Sequence, residues 1–482
     1  MSKSRRLNII AAVSLTIYIL ILSLGSSEIK YPLPSYNKAA IFNYIVTESE
    51  KLNLPSFSAE DVTFINAKAN NSIGRYVESY QFDERQLDEL QQKVPIYTIE
   101  VETGERLYEI DPSNGKITRV SGISLPFNEK NSIDNFIQTY FGSGYTLQTK
   151  KASEDEIFTD WHIKYVYTAS TSLDNISKVV EIYTSENKII EFQQYGAAAG
   201  FPLQEAEDSA GLMIISIFML LFLVALLIIV TVQLIKRLIK KQIEAFVGPF
   251  LLSAVAGFGW FFLTSAMGSS ITGFGAIEPA FMTYLTFATL LIRWEKSAKS
   301  HAIKILEWKG AIFQGLLLAI IFFALTSLFF YITGFFGSWI SPVLNHGLLI
   351  NVNPWILPIF TLFIGLSAAV TEEAVFRRYM IPFFDRFGVI TSVLLTSFLW
   401  GILHLAYDVH PWYLRVIEFM IIGGPFFYFV YKKFGFKTAV FCHYFNNSLI
   451  TAFFLFSVNI NVAIVALFLS VSPLLFLLYR TK

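Results

Sequence analysis

The feature that most constrains this chain is a series of apolar runs of about 20 residues that recur from residue 209 to the last residues. A helix of that length crosses the hydrocarbon core of a bilayer, because each residue adds about 1.5 Å. Only 15% of the residues are charged, compared with roughly 25% in a soluble domain, and the mean hydropathy is +0.51. The sequence therefore predicts a polytopic membrane protein.

The N-terminal residues combine a short basic stretch, Ser2 to Arg6, with an apolar run from Asn8 to Gly25. This pattern is typical of a signal anchor or of a cleavable signal peptide. The run is long for a signal peptide and has no clear A-x-A cleavage site. We therefore interpret residues 1–25 as a signal anchor and first transmembrane helix.

Residues 26–208 are polar throughout and are typical of a soluble domain. The apolar run that follows ends in a basic cluster, Lys236, Arg237, Lys240 and Lys241. Positive charge marks the cytoplasmic ends of membrane helices. Because basic residues precede the first helix and end the second, we expect residues 26–208 to be extracytoplasmic.

Eight further apolar segments follow, at about 243–268, 274–293, 310–335, 355–386, 388–406, 413–431, 437–456 and 459–479. Their flanking basic residues fall on a single side, namely Arg293, Lys296, Lys299, Lys304, Lys309, Lys432, Lys433, Lys437, Arg480 and Lys482. We predict an all-α polytopic helical bundle of about ten transmembrane helices with both termini cytoplasmic. Helices 2–5 would occupy residues 209–354 and helices 6–10 residues 355–482.

The extracytoplasmic region contains a weak internal repeat. "YEIDPSNGKITRV" (Tyr108 to Val120) aligns without gaps to "VEIYTSENKIIEF" (Val180 to Phe192), with Gly115 and Asn187 at the position that favours a positive φ. An alternating strand and an amphipathic stretch precede each copy. We predict two tandem α+β units, each a helix against a small antiparallel sheet. They resemble PepSY-type modules of bacterial extracytoplasmic proteins; a generic α+β domain is the alternative.

The cysteine content and the charge pattern exclude several classes of site. Cys442 is the only cysteine of the chain, which excludes an internal disulfide framework and any zinc site built from several cysteines. No basic tract with interleaved aromatic residues occurs, so we expect no nucleic-acid partner.

Polar residues within the last apolar segments need an explanation, because an ionised side chain at the centre of a membrane helix costs about 2.5–3.5 kcal/mol. The candidates are Glu372, Glu373, Arg377, His404, His443 and Asn447. Alone, each has an ordinary structural interpretation as an anchor, a packing residue or an interhelical hydrogen bond. Glu418 lies close to the end of a segment, and we interpret it as interfacial.

The spacing of these residues places several of them on common helix faces. Glu373 and Arg377 are four residues apart in the order that favours an ion pair, whereas Glu372 is rotated about 100° away. His443 and Asn447 are likewise four residues apart and share a face.

The depth of Glu372 can be compared with that of His404 by counting from the turn at Phe387–Gly388. Both lie some 22–24 Å from that turn at about 1.5 Å per residue, provided that the first helix continues to about Arg386. We expect the two side chains to face each other in an antiparallel hairpin. The same count leaves His443 too shallow on a straight helix that begins near Gly435, so a tilted, staggered or late-starting helix would have to bring it to the depth of Glu372.

Taken together, the motifs are similar to the signature of the CAAX protease and bacteriocin-processing family of intramembrane endopeptidases. "EEAVFR" (Glu372 to Arg377) matches its first motif, "WGILH" (Trp400 to His404) the second, and "HYFNN" (His443 to Asn447) the third. Gly423 and Gly424 correspond to its glycine-rich helix. The resemblance covers about residues 355–456.

The resemblance implies hydrolysis of a peptide bond in a peptide or protein within or beside the bilayer. Glu372 and His404 would activate water, His443 and Asn447 would stabilise the oxyanion, and Glu373 and Arg377 would maintain the helix geometry.

Two questions remain open at this point. The first is the metal: we prefer a mechanism without metal, and if zinc is present its ligands would be Glu372, His404 and His443. The second is the class of protein. The alternative to an enzyme is a non-catalytic bacteriocin-immunity or sensory membrane protein. An ion-coupled transporter is disfavoured, because no repeat relates the halves of the membrane region.

Overall fold

The computed structural model describes residues 3–24, 38–54, 58, 61–80, 82, 84–104, 106–127, 132–153, 161–173, 175–201, 209–243, 245–267, 276–294, 301–341, 346–405 and 409–479. The predicted limits of the polar domain, near residues 26 and 208, lie outside these ranges. So do four basic residues used for the predicted orientation, Lys296, Lys299, Arg480 and Lys482.

The chain divides into two compact units. The helical unit comprises Met1–Ser26, Ser209–Ile340 and Val352–Lys482, and the sheet unit comprises Ser27–Asp208 and Ser341–Asn351.

The α-helices of the described residues are α1 (Lys3–Leu24), α2 (Lys38–Lys51), α3 (Asn71–Ser79), α4 (Glu84–Gln91), α5 (Ile133–Phe136), α6 (Ser209–Ile239), α7 (Val247–Ala266), α8 (Ile277–Arg293), α9 (His301–Gly334), α10 (His346–Asn351), α11 (Leu357–Glu372), α12 (Ile381–Phe384), α13 (Val389–Ile402), α14 (Tyr413–Glu418), α15 (Gly424–Phe434), α16 (Phe436–Phe454) and α17 (Ile460–Val471). The strands are β1 (Val62–Ala69), β2 (Tyr97–Thr103), β3 (Leu107–Ile110), β4 (Ile117–Pro126), β5 (Thr146–Ala152), β6 (Ile163–Ser170), β7 (Ile176–Ser185), β8 (Lys188–Ala198), β9 (Trp339–Ile340) and β10 (Val409–His410).

The sheet unit contains one antiparallel sheet in the order β1-β2-β3-β4-β8-β7-β6-β5. The two predicted hairpins are confirmed as β3–β4 and β7–β8, and Gly115 and Asn187 have φ values of 72° and 61°. The prediction of two small sheets is wrong. The last strands of the two halves pair with each other, with Val120 opposite Phe192, so that neither half leaves an unpaired edge there.

One face of this sheet forms the hydrophobic core of the unit. Alternate strand residues such as Ile99, Val180 and Phe192 pack with helix residues such as Ile45 and Ile73, and all are almost completely buried. The alternation follows from the two-residue period of a strand. The predicted amphipathic stretches before each repeat form helices α2 and α5, whose apolar residues pack in the same core.

The opposite face of the sheet is polar and ionic. Glu109 on β3 accepts hydrogen bonds from Lys68 at 3.3 Å, Arg119 at 3.2 Å and Thr98 at 3.1 Å. Burial by itself raises the pKa of the Glu109 carboxyl, but the charges and hydrogen bonds of Lys68 and Arg119 outweigh it and lower that pKa below its ordinary value. A second cluster joins Glu181 to Lys164 at 2.8 Å.

The residues Ser341–Asn351 belong to the sheet unit, although they fall within residues 209–354, the predicted region of transmembrane helices 2–5. The reason is their contacts with β1 and β2, the first two strands of the sheet. Asn351 Nδ2 donates to the carbonyl of Ile65 at 2.7 Å, Ile350 is part of the core, and the ring of His346 lies 5.3 Å from that of Tyr97. Helix α10 therefore covers an edge strand that would otherwise present unpaired backbone groups.

The helical unit contains seven described helices that are long and apolar enough to cross a membrane. They are Ile217–Ile239, Val247–Ala266, Ile305–Gly334, Leu357–Phe387, Tyr413–Phe434, Phe436–Ser457 and Ile460–Leu478. The other predicted spans correspond to shorter helices, Leu7–Ile21 and Val389–Ile402 and the 17-residue α8. The number ten thus stays a prediction, whereas a mostly helical chain with candidate membrane-spanning helices and an additional β-sheet domain is confirmed.

Replacing Glu109 by Gln removes the charge that Lys68 and Arg119 share. We expect the opening free energy of β1–β4 to fall by about 1–3 kcal/mol at pH 7. Hydrogen–deuterium exchange of the full-length protein in detergent measures it. The exposed Glu50→Gln on α2 is the control and should leave these strands unchanged.

The effect of Glu109 should also depend on pH. Because its pKa is lower in the folded state, its contribution is complete above the unfolded pKa of about 4.3 and is lost as the pH falls through the folded pKa. The difference in protection between wild type and Glu109→Gln, corrected for intrinsic exchange rates, should shrink between pH 7 and pH 3. A constant difference would contradict the assignment.

Candidate functional site

The candidate site begins where α11 changes its helical geometry. The helix continues without a break from Leu357 to Phe387, as the comparison of depths required, but Glu373–Met380 is π-helical. π-Helical turns in α-helices occur frequently at functional sites. Glu372 is thus the last residue of regular α-helix before the turn that contains Glu373 and Arg377.

Glu372 and His404 face each other across α11 and the end of α13. His404 Nε2 lies 3.9 Å from Glu372 Oε2. His404 follows the last residue of α13, Ile402, and its Nδ1 lies 2.9 Å from the carbonyl oxygen of Trp400. Because a carbonyl oxygen only accepts, Nδ1 holds the proton and Nε2 of the neutral ring presents a lone pair towards Glu372.

The indole of Trp400, the first residue of the second motif, also belongs to this site, although the motif alone assigns it no role. Its Nε1 donates a hydrogen bond to Glu372 Oε2. The available signal was the position of Trp400 four residues before His404, about one helical turn. The indole orients the carboxylate, and its ring is also packed against Phe419 at 4.4 Å.

His443 contacts both glutamates, although the count along a straight helix from Gly435 leaves it too shallow. Its Nε2 lies 3.9 Å from Glu372 Oε2 and its Nδ1 2.9 Å from Glu373 Oε1. The count assumed a straight α16 without tilt or stagger against α11. Because α16 begins at Phe436, a late start does not account for the contacts, which leaves a tilt or stagger of the helix.

Glu373 and Arg377 form a buried ion pair, with Arg377 Nε 3.4 Å from Glu373 Oε2. Their side chains are 0% and 3% exposed. The guanidinium lies 3.6 Å from the centre of the Trp400 ring and 4.9 Å from that of Phe427, a cation–π arrangement. Among the described residues, no group hydrogen-bonds to its two terminal nitrogens.

Asn447 is not part of this cluster in the structure. It follows His443 by one turn of α16, and its Oδ1 accepts from Asn446 Nδ2 at 3.0 Å. Its backbone carbonyl accepts from Thr451 at 3.0 Å. The prediction that Asn447 acts together with His443 therefore remains a prediction.

Glu418, interpreted from the sequence as interfacial, is buried. It is 2% exposed, and its Oε2 lies 3.3 Å from Arg415 Nη1. The three-residue spacing to an arginine was the signal that pointed to an internal ion pair.

A zinc ion was a possibility left open by the sequence. The described residues contain no group of three His, Cys, Asp or Glu side chains arranged to hold a metal ion. The two imidazole Nε2 atoms each lie 3.9 Å from Glu372 Oε2, whereas two ligands of a tetrahedral zinc ion are roughly 3.3 Å apart. The geometry of Glu372, His404 and His443 thus does not fit a zinc centre.

Residues 354–449 match the family model of the type II CAAX prenyl endopeptidase Rce1-like proteins. This confirms the resemblance of the three motifs, all of which lie within the matched residues. The PepSY-like resemblance of residues 26–208 is not confirmed. No curated protein and no solved structure matches the chain. The matched family and the apolar helices together support a multi-pass membrane protein.

Replacing Glu373 by Gln leaves the Arg377 charge buried without its counterion. We expect the free energy of unfolding to fall by about 3–5 kcal/mol, as when one partner of a buried ion pair is removed in other proteins. The only cysteine, Cys442, is buried beside His443, so its labelling by a thiol-reactive dye during heating reports opening at this position.

The matched control is Asp385→Asn, which removes the partly exposed pair with Lys432 at 2.9 Å. It should change stability by at most about 1 kcal/mol. Equal shifts of the labelling midpoint in the two variants would show that the Glu373–Arg377 pair is not specially important.

Proposed function

We propose that the chain is an intramembrane endopeptidase that hydrolyses peptide bonds of membrane-associated peptides or proteins. The observation that most supports this is the arrangement of Glu372 on α11, His404 in the turn after α13 and His443 on α16. One carboxylate oxygen faces two imidazole nitrogens at 3.9 Å each. The residues lie within the segment that matches the Rce1-like family.

Glu372 and His404 activate the attacking water. The 3.9 Å between Glu372 Oε2 and His404 Nε2 leaves room for one water molecule to donate a hydrogen bond to each atom at about 2.8–3.0 Å. Both atoms are acceptors, because Trp400 donates to the carboxylate and His404 holds its proton on Nδ1. The oxygen lone pairs of that water are then directed away from both bases.

His443 supplies a donor for the oxyanion. Glu372 and Glu373 bring two negative charges into this buried region, and Arg377 alone balances one of them. A protonated His443 balances the other, with Nδ1–H donating to Glu373 at 2.9 Å and Nε2–H directed into the site. Buried charges are stable when they are paired in this way.

The reaction then follows from these positions. The water oxygen bonds to the carbonyl carbon while one proton passes to Glu372, and the carbonyl oxygen becomes an oxyanion that accepts from His443 Nε2–H. As the carbon–nitrogen bond breaks, the proton moves from Glu372 to the departing amide nitrogen. Asn447 is the second oxyanion donor after its amide has turned from Asn446 towards the site.

Glu373 and Arg377 are positioning residues in this proposal. Glu373 orients the His443 ring through Nδ1, and Arg377 keeps Glu373 paired while it packs on Trp400. We further propose that residues 26–208 are extracytoplasmic and both termini cytoplasmic, on the distribution of basic residues.

Replacement of Glu372 by Gln should abolish cleavage, because an amide at this position does not accept the proton of water. The measurement compares membrane peptidomes of cells that express wild type and Glu372→Gln, and identifies peptides that appear only with wild type. His404→Ala should lose the same peptides.

The control is Asp385→Asn, which should retain the peptides because it changes a carboxylate away from the cluster. Glu372→Gln and His404→Ala must insert into the membrane, and must protect Cys442 from the thiol-reactive dye, to the same extent as wild type. Undiminished formation of the peptides by Glu372→Gln would falsify the catalytic assignment. It would favour the alternative of a non-catalytic immunity or sensory protein.

Chelation tests the preference for a metal-free mechanism. Purified protein treated with a strong zinc chelator should retain the wild-type rate of formation of these peptides, because no step uses a metal. Loss of activity that only added Zn²⁺ restores would overturn the preference and would assign Glu372, His404 and His443 as ligands.

A further inference from the structure

The residue before Glu372, Thr371, is hydrogen-bonded to two helices that lie outside the family-matched segment. We propose that Trp260 on α7 and Thr286 on α8 are positioning residues that act through Thr371 to fix the rotation of α11 at Glu372. This inference rests on the endopeptidase function proposed above.

The hydrogen bonds converge on the Thr371 hydroxyl. Trp260 Nε1 donates to Thr371 Oγ1 at 3.0 Å, and the hydroxyl oxygens of Thr286 and Thr371 are 2.9 Å apart. Thr286 donates its hydroxyl proton to the carbonyl of Met282 on its own helix, at 2.7 Å, so the Thr371 hydroxyl is the donor to Thr286. Thr286 and Thr371 are 0% and 2% exposed, so water does not replace these bonds if one partner is removed.

Two glycines allow α7 to approach closely enough for the Trp260 bond. A Cβ on Gly259 would lie 2.0 Å from Ser367 Oγ on α11, and a Cβ on Gly257 would lie 2.5 Å from Thr283 Oγ1 on α8. Such distances are not compatible with side chains at either position. The sequence Gly-Phe-Gly-Trp, residues 257–260, therefore sets the distance of α7 from both neighbours.

A second bond connects α8 to the same helix beyond the charged residues. Arg378 Nη2 donates to the carbonyl of Arg293 at 2.9 Å. Thr286 and Arg293 are separated by the same number of residues as Thr371 and Arg378. Helix α8 therefore contacts the continuous helix Leu357–Phe387 at two points, immediately before Glu372 and immediately after Arg377.

The location of these contacts matters because the helix changes from α to π geometry between them. The side-chain directions of Glu372 and Glu373 depend on where this change occurs. A displacement of about 1 Å at a reacting group is enough to cost roughly 100-fold in rate. The bond to Thr371 fixes the helix at the last turn before the change.

The test compares two buried threonines of α8. Thr286→Val keeps the shape and removes the hydroxyl that meets Thr371. Thr289→Val makes the same change one turn later, where the hydroxyl bonds to the carbonyls of Leu285 and Thr286 of its own helix and, among the described residues, to no other helix. The measurement is the rate at which the Glu372-dependent membrane peptides form, divided by the amount of protein whose Cys442 is protected from labelling. This rate should fall about 10- to 100-fold for Thr286→Val and stay unchanged for Thr289→Val.

Conservative and combined variants distinguish positioning from general packing. Thr286→Ser retains the hydroxyl and should restore the wild-type rate. Trp260→Phe should slow the reaction, whereas the surface control Trp308→Phe should not. Because Trp260 and Thr286 act through one hydroxyl, adding either substitution to Thr371→Val should cause little further loss.

The outcomes separate this inference from the proposed function. If Glu372→Gln is inactive but Thr286→Val and Thr289→Val are equally active or equally slow, the positioning role is overturned and the enzyme assignment stands. If Glu372→Gln retains the peptides, the enzyme assignment fails, and the positioning role fails with it.

Discussion

The pairing of Glu373 with Arg377 and His443 is the interaction on which the rest of the site depends. A carboxylate that is completely buried among apolar helices is unstable without partners, and these two side chains come from one turn of its own helix and from α16. Once they are in place, the ring of His443 is oriented and Trp400 is covered by the guanidinium. Glu372, next to Glu373 in sequence, is then left facing the two imidazoles.

Much of this site could be predicted from the sequence, because it follows from spacing along single helices. The Glu373–Arg377 pair and the opposition of Glu372 and His404 required only the helical repeat and a count from one turn. The contacts of His443 and Trp400 could not be predicted in this way. They depend on the π-helical turn and on the rotation of neighbouring helices, and no local pattern in the sequence specifies either.

The same distinction applies to the rest of the fold. The two hairpins with Gly115 and Asn187 were predictable from turn chemistry, whereas their fusion through β4 and β8 depends on a pairing of distant strands. The bonds of Trp260 and Thr286 to Thr371 join residues 111 and 85 positions apart. The family-matched segment, residues 354–449, begins after both partners, so a motif-based comparison alone would leave the Glu372 helix without these two neighbours.

The membership of Ser341–Asn351 in the sheet unit has a consequence for biosynthesis. A ribosome delivers residues 27–208 first, and domains generally fold as units in the order of synthesis. Here strand β1 receives the Asn351 hydrogen bond, and the core receives Ile350, only after residues 209–340, including three of the seven long apolar helices, have been synthesised. The last segment of the β-sheet domain is thus separated from the rest of the domain by Ser209–Ile340 of the other unit, and its packing is the latest step in the assembly of that domain along the chain.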